Sequence, residues 1–121
     1  MPLIDIRDTG KFVAAALLDP ILYNRKTFTC ATEFYTPMEM VNTWTKVTRK
    51  TVKFVSTGDA AAFSNLTKEQ KLELKKAHGL FRYGYFGPTG QKDLAWTLEQ
   101  VKEKLNSWEE FVVANKPWFE G

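Results

Sequence analysis

The side chains best able to do chemistry lie in two parts of the sequence. His78, the single histidine, is the residue type that exchanges a proton near neutral pH, and an aromatic segment follows it at once. Asp5 lies where a short predicted strand gives way to a helix, and ligands of α/β sheets tend to bind at the carboxyl ends of strands. His78, Tyr83 and Asp5 are therefore candidate catalytic residues. In the alternative interpretations, His78 stabilises a helix end through the helix dipole, and the carboxylate has no catalytic part.

The aromatic segment after His78 predicts a binding surface. Phe81, Tyr83 and Tyr85 alternate along the sequence, so their rings share one side if the segment is extended. Aromatic walls with phenolic donors suit an apolar or aromatic small molecule. The alternative is that these rings fill the core beneath a loop.

Trp96 lies outside the apolar stripe of its predicted helix, about 200° around the axis from Leu94 at ~100° per residue. This position predicts a helix that buries two sides or exposes a tryptophan to a ligand or partner. The candidate substrate-binding residues are Phe81, Tyr83, Tyr85, Phe86 and Trp96.

Several other sites are not predicted. One histidine and one cysteine cannot build a zinc site, and a single cysteine cannot form an internal disulfide. Cys30 is interpreted as a small core hydrophobe, with a reactive thiol as the alternative. The glycines of the segment 84–90 have the spacing of a phosphate-binding loop, yet Pro88 lacks an amide hydrogen and no aliphatic strand precedes them. We predict a turn there.

The composition excludes further classes of protein. Seventeen basic against fourteen acidic residues leave a net charge of +3, too small and too scattered for nucleic acid. The longest apolar run, Phe12–Leu18, is far short of the ~20 residues that cross a bilayer. Without a basic and then apolar leader at Met1, we expect a cytoplasmic protein. The 121 residues predict one domain, 1–121, with an unusually large number of aromatic residues.

The elements expected to position these residues alternate in the first half of the chain. Strands are predicted at Pro2–Ile6, Lys26–Thr32 and Val52–Val55, and helices at Gly10–Leu18, capped by Asp8 or Thr9, and from Pro37 to about Arg49. This order favours an α/β fold with a small, mainly parallel sheet of about three strands and four to five helices. Capping boxes are predicted at Thr36, Thr67 and Ser107, and the helix that follows Thr67 is expected to end near Gly79.

Several segments, in this order and spacing, resemble the C-terminal part of the NmrA-like family: PLIDIRDTGKFVAAALL, KTFTCATEFYTPMEMVNTWTKVT, HGLFRYGYFGPTG and SWEEFVVANKPWF. The resemblance implies an atypical branch of the short-chain dehydrogenases, in which a Rossmann domain that binds NADP or NAD is joined to a smaller domain over the substrate cleft. The segments found here resemble the smaller domain. No dinucleotide fingerprint occurs in residues 1–30, so we expect no bound cofactor, and NADP only with a separate Rossmann partner.

Three functions follow as hypotheses. The first is a domain that binds an apolar or aromatic small molecule and performs a non-redox step such as a cyclisation, isomerisation or rearrangement. The second is a regulatory or interaction protein, since the family's founding members resemble fungal co-regulators. The third is an inactive, truncated reductase. The helix at Gly10–Leu18 is apolar on nearly every side, which predicts a homo-oligomer, most simply a dimer.

Overall fold

The first residues of the chain form a strand that pairs with a second short strand. The computed structural model describes residues 1–56 and 64–119. Strand β1 (Pro2–Leu3) pairs antiparallel with β2 (Glu33–Phe34), with Pro2 opposite Phe34 and Leu3 opposite Glu33. Just outside this ladder, the Thr32 amide donates to the Leu3 carbonyl oxygen at 2.7 Å. The described part of the chain is therefore a mixed α/β structure with a single sheet of two strands.

Helices make up most of the remaining structure in residues 1–56 and 64–119. The described α-helices are α1 (Thr9–Leu18), α2 (Pro37–Thr48), α3 (Lys68–Arg82), α4 (Gly90–Gln100) and α5 (Trp108–Ala114), with 3₁₀ turns at Ile6–Asp8 and Lys116–Phe119. None of these helices is long and apolar enough to cross a membrane.

The three-stranded parallel sheet predicted from the sequence is not found in the described residues, whose only sheet is β1–β2. The segments 26–32 and 52–55 form no strand there. Their amides have other partners, because Thr29 donates to the Thr97 side chain at 2.9 Å and Val52 to the Thr45 side chain at 3.3 Å. Threonine hydroxyls on helices thus accept hydrogen bonds from backbone amides that would otherwise be available to a sheet.

The three predicted capping boxes are confirmed. Thr36, Thr67 and Ser107 each accept from the third amide of the following helix, and Glu39, Gln70 and Glu110 reach back to their amides.

The predicted end of α3 at Gly79 is wrong, because the helix continues to Arg82. Phe81 is therefore helical, and the extended alternation of Phe81, Tyr83 and Tyr85 does not form. One glycine inside a helix costs only about 1 kcal/mol relative to alanine, which the flanking residues of this long helix can outweigh.

Helices α2 and α5 pack on each other through aromatic side chains. The indole rings of Trp44 and Trp108 are 6.4 Å apart edge to face, Trp108 stacks on Phe111 at 5.7 Å, and the Trp108 indole N–H donates to the Met40 carbonyl oxygen at 3.0 Å. Two of the four tryptophans, both half-buried, therefore lie in this helix contact.

The buried apolar side chains of the described residues come from several elements. They are Phe12, Ala15, Ala31, Leu94 and Val112.

The outer side of α1 remains uncovered by the described residues. Phe12 and Ala15 of this helix are buried, whereas the opposite side and the residues around it expose large apolar side chains. We call this surface the α1 apolar face: Ile6, Val13, Leu17, Leu18, Ile21 and Leu22.

Candidate functional site

A groove of about 740 Å³ runs along α3. Its volume falls within the ~300–1,000 Å³ typical of small-molecule sites. We call it the α3 groove, and its lining residues are Met1, Pro37, Phe54, Lys75, His78, Gly79, Phe81, Arg82 and Tyr83.

Helical spacing explains why α3 contributes so many of these residues. Lys75, His78, Gly79 and Arg82 are three, four and seven positions apart, so they follow one side of the helix. The Cβ position of Gly79 meets open space, and the missing side chain leaves room between its basic neighbours.

His78 and Tyr83 lie in the same groove, as two of the three candidate acid–base residues. The His78 ring is 6.1 Å from the Phe81 ring, edge to face, and both are exposed. Tyr83 caps the end of α3 and is 82% exposed. An imidazole, a phenol and an aromatic surface are thus available to one ligand.

The remaining aromatic candidates are distributed differently. Phe81 and Tyr85, with ring centroids 5.9 Å apart, line a neighbouring hollow of about 210 Å³ that also includes Phe34. Phe86 packs edge to face on Phe34 at 6.0 Å. Only Phe81 and Tyr83 of the predicted substrate-binding residues therefore reach the α3 groove.

Trp96 lies in a separate aromatic cluster. It stacks on Phe28 at 5.7 Å, and the Tyr23 ring approaches both. Two sides of helix α4 are thus packed against the rest of the protein. Leu94 is buried on one side, and Trp96 is half-buried on the other. The second buried side was one of the two alternatives that the sequence left open.

Asp5 and Asp8 form a buried network at the start of α1. The Arg7 guanidinium binds both Asp5 oxygens at 2.6–3.1 Å, and this pairing lowers the pKa of Asp5 to about 2. Asp8 accepts the Asn106 amide at 2.6 Å, pairs with Lys11 at 2.8 Å, and makes no side-chain bond to the α1 terminus. Asp8 therefore occupies the N-cap position of α1, one of the two predicted, but its carboxylate binds Asn106 and Lys11 instead of the first amides of the helix.

Asn106 completes this network and was not singled out from the sequence. Its side-chain amide lies 3.3 Å from Asp5 and from Asp8. Nothing in the local pattern marks an asparagine whose partners are about a hundred positions away.

A second, smaller cavity of about 90 Å³ lies beside Asp5. Its wall includes Tyr35, whose hydroxyl accepts the Trp108 amide at 3.3 Å and whose pKa is raised by burial. Within the described residues, the buried Thr32 hydroxyl on this wall has no hydrogen-bond partner. The space suits a few water molecules. Asp5 therefore faces a different cavity from His78 and Tyr83.

Segment 84–89 turns between α3 and α4, as predicted, and Gly90 begins α4. Gly84 and Gly87 have φ angles of +77° and +84°, which favour glycine. A Cβ at Gly90 would come within 2.9 Å of the Phe86 Cβ. The segment follows helix α3, whereas a dinucleotide loop follows a strand.

The lone cysteine and the acidic residues offer little further chemistry. Burial raises the pKa of the half-buried Cys30 thiol, which disfavours the reactive thiolate. In the part of the chain that the structure describes, no three His, Cys, Asp or Glu residues are grouped as a metal site would require.

Comparison with known proteins gave one result. A sequence model of the NmrA-like family matches residues 1–112, from β1 into α5. Neither the curated proteins nor the solved structures include a match.

Proposed function

Because the chain belongs to the NmrA-like family, we propose that it binds a small apolar or aromatic molecule in the α3 groove. The observation that supports this proposal is the groove itself. Its volume suits such a ligand, and its wall includes the exposed rings of Phe54, Phe81 and Tyr83. Exposed rings side by side lose little on ordering and gain contact area when a flat ligand covers them.

The reaction proposed for this groove is a non-redox one. His78 would take a proton from one ligand atom and return it to another, with the Tyr83 hydroxyl as a donor to a developing negative charge. Such proton transfers suffice for an isomerisation, a cyclisation or a rearrangement when the groove orients the ligand. Asp5 has no part in this step, since its carboxylate is engaged by Arg7.

We further propose that the chain does not bind NAD(P) by itself, and that a nucleotide would require a separate Rossmann partner. The support is the turn geometry of segment 84–90 and its position after a helix. An inactive, truncated reductase is the corresponding alternative, and it predicts a groove without affinity for aromatic ligands.

A second candidate function, in protein interaction, is favoured by the α1 apolar face. Ile21 is 90% and Leu18 79% exposed, and such a contiguous surface commonly marks an interface. A regulatory role would use this face and leave the groove unoccupied.

The two functions are distinguished by titrating N-phenyl-1-naphthylamine, a neutral fluorescent aromatic, into the protein. We expect Phe81→Ala to weaken binding about fivefold, because the ring forms part of the wall. Leu72→Ala, an exposed substitution on α3 outside the groove, is the matched control. If Leu17→Lys on the α1 apolar face abolished binding while Phe81→Ala did not, the groove would be the wrong site.

A further inference from the structure

The α3 groove combines aromatic surface with basic side chains. Lys75 and Arg82 line it together with Phe54, Phe81 and Tyr83, and none of its lining residues within the described part of the chain is Asp or Glu. We propose that the natural ligand is an aromatic anion, whose ring covers the aromatic wall and whose acid group binds Lys75 and Arg82. This inference rests on the proposed function of the groove.

Lys75 and Arg82 are set apart from the other cations by their place in the groove wall. Within residues 1–56 and 64–119 neither forms an ion pair, a property they share with Lys68 and Lys92, whereas the neighbouring Lys76 pairs with Glu73 at 2.9 Å. No described carboxylate therefore neutralises the two charges at the groove.

The distance between the two cations along α3 suits an extended ligand. Lys75 and Arg82 are seven positions apart, which corresponds to roughly 10 Å along an α-helix. His78 lies between them on the same side. A flat ligand the size of two fused rings can lie along this stretch and place its acid group against either cation.

Arg82 and Lys75 contribute differently to such binding. The planar guanidinium of Arg82 can donate two parallel hydrogen bonds to a carboxylate or sulfonate and stack on a ring, whereas Lys75 acts as a point charge. Because both side chains are exposed, solvent weakens their attraction, and the affinity must fall as ionic strength rises.

The test uses two probes with the same rings. We would titrate 8-anilinonaphthalene-1-sulfonate, which carries a sulfonate, and N-phenyl-1-naphthylamine, which carries none, into the full chain at low and high salt. At low salt we expect the sulfonate probe to bind about threefold to tenfold more tightly, and the preference to disappear at high salt.

Variants locate the source of that preference. Lys75→Met and Arg82→Met should each reduce this preference at least twofold, measured in each variant as the ratio of its affinities for the two probes. Lys76→Met is the matched control, because Lys76 is adjacent in sequence, pairs with Glu73 and does not line the groove. Circular dichroism of each variant confirms that α3 remains folded. 1-Naphthoate should displace the sulfonate probe at lower concentration than the uncharged 1-naphthalenemethanol.

The outcomes separate the two proposals. If the neutral probe binds through Phe81 but the sulfonate brings no advantage, or the advantage survives Lys75→Met and Arg82→Met, the anion inference is overturned and the proposed function stands. If neither probe responds to Phe81→Ala, both proposals fail.

Discussion

Two threonines of this protein have buried hydroxyls with opposite hydrogen-bonding states. The Thr97 hydroxyl accepts the Thr29 amide and donates to the Asp93 carbonyl oxygen, both at 2.9 Å. Among the described residues the Thr32 hydroxyl has no partner. Since an unpaired buried hydroxyl costs more than the nearly isosteric methyl of valine, the two positions should respond oppositely to the same substitution.

We therefore expect Thr32→Val to raise the free energy of unfolding by about 1 kcal/mol and Thr97→Val to lower it by about 1–2 kcal/mol. Urea denaturation followed by tryptophan fluorescence measures both. A destabilised Thr32→Val variant would contradict the first expectation and would mean that water in the 90 Å³ cavity already serves this hydroxyl.

The Asp5–Arg7 pair makes stability depend on pH in a definite direction. The pKa of Asp5 is about 2 when folded, below the ordinary 3.8. A depressed folded pKa stabilises the protein fully above the unfolded value near 4, and this contribution is lost as the pH falls towards 2. Asp5→Asn should thus lower the free energy of unfolding by about 1 kcal/mol at pH 7 and make little difference at pH 2.

Urea denaturation at pH 7, 4 and 2 tests this convergence. Glu99→Gln, which removes an exposed carboxylate on α4, is the control and should leave the unfolding midpoint unchanged at all three pH values. Curves for wild type and Asp5→Asn that stay equally far apart at pH 2 would exclude the ion pair as the cause.

At the scale of elements, local and tertiary signals had different predictive value. The helix starts at Thr36, Thr67 and Ser107 could be predicted because a capping box involves neighbours three residues apart. The strand at 26–32 could not be excluded, because the partner that takes its Thr29 amide lies 68 positions away. Alternating sequence alone does not show which donors a sheet can use.

The same difference between local and tertiary signals applies to the candidate site. His78 and Tyr83 were predicted from residue type and position, and the structure puts both beside the groove. Arg82 was missed because α3 was expected to end at Gly79, and Phe54 because it was assigned to a strand. Lys75 was missed because nothing in the local sequence distinguishes it from the other charged residues of the same helix. These residues meet only through packing between distant parts of the chain.

Two glycines of helices α3 and α4 provide a matched prediction. A Cβ at Gly79 meets open space, whereas one at Gly90 would lie 2.9 Å from the Phe86 Cβ. Gly79→Ala should raise the free energy of unfolding by about 1 kcal/mol through helix propensity, and Gly90→Ala should lower it by about 1–3 kcal/mol through overpacking. Thermal unfolding followed by circular dichroism measures both changes, and effects of the same sign would contradict the close approach at Gly90.

At the scale of the whole molecule, we propose that a second copy of this chain covers the α1 apolar face. Its six residues are between 51% and 90% exposed, and an exposed apolar surface of this kind commonly marks an interface. None of the six carries a charge, so two copies of the face can meet without like charges opposing each other.

Leu17→Lys and Ile21→Lys should each shift a dimer towards monomer by at least tenfold in dissociation constant, because each would bury an unpaired charge. Sedimentation velocity over a hundredfold range of concentration measures the shift. Val55→Lys, an equally exposed apolar position outside this face, should have no effect. A wild-type chain that stays monomeric throughout would rule out self-association as the cover.

The Asp8–Asn106 contact also has a kinetic consequence. It joins residues 98 positions apart, so it closes a loop that includes most of the chain. Because the entropic cost of closing a loop precedes the gain from its contacts, this contact should form after the main folding barrier. Asn106→Ala removes the side-chain hydrogen bonds to Asp5 and Asp8 and keeps the backbone one, so it should speed unfolding and leave the refolding rate nearly unchanged in stopped-flow experiments. The same few hydrogen bonds that join the chain's distant parts would then act mainly to keep the folded molecule from opening.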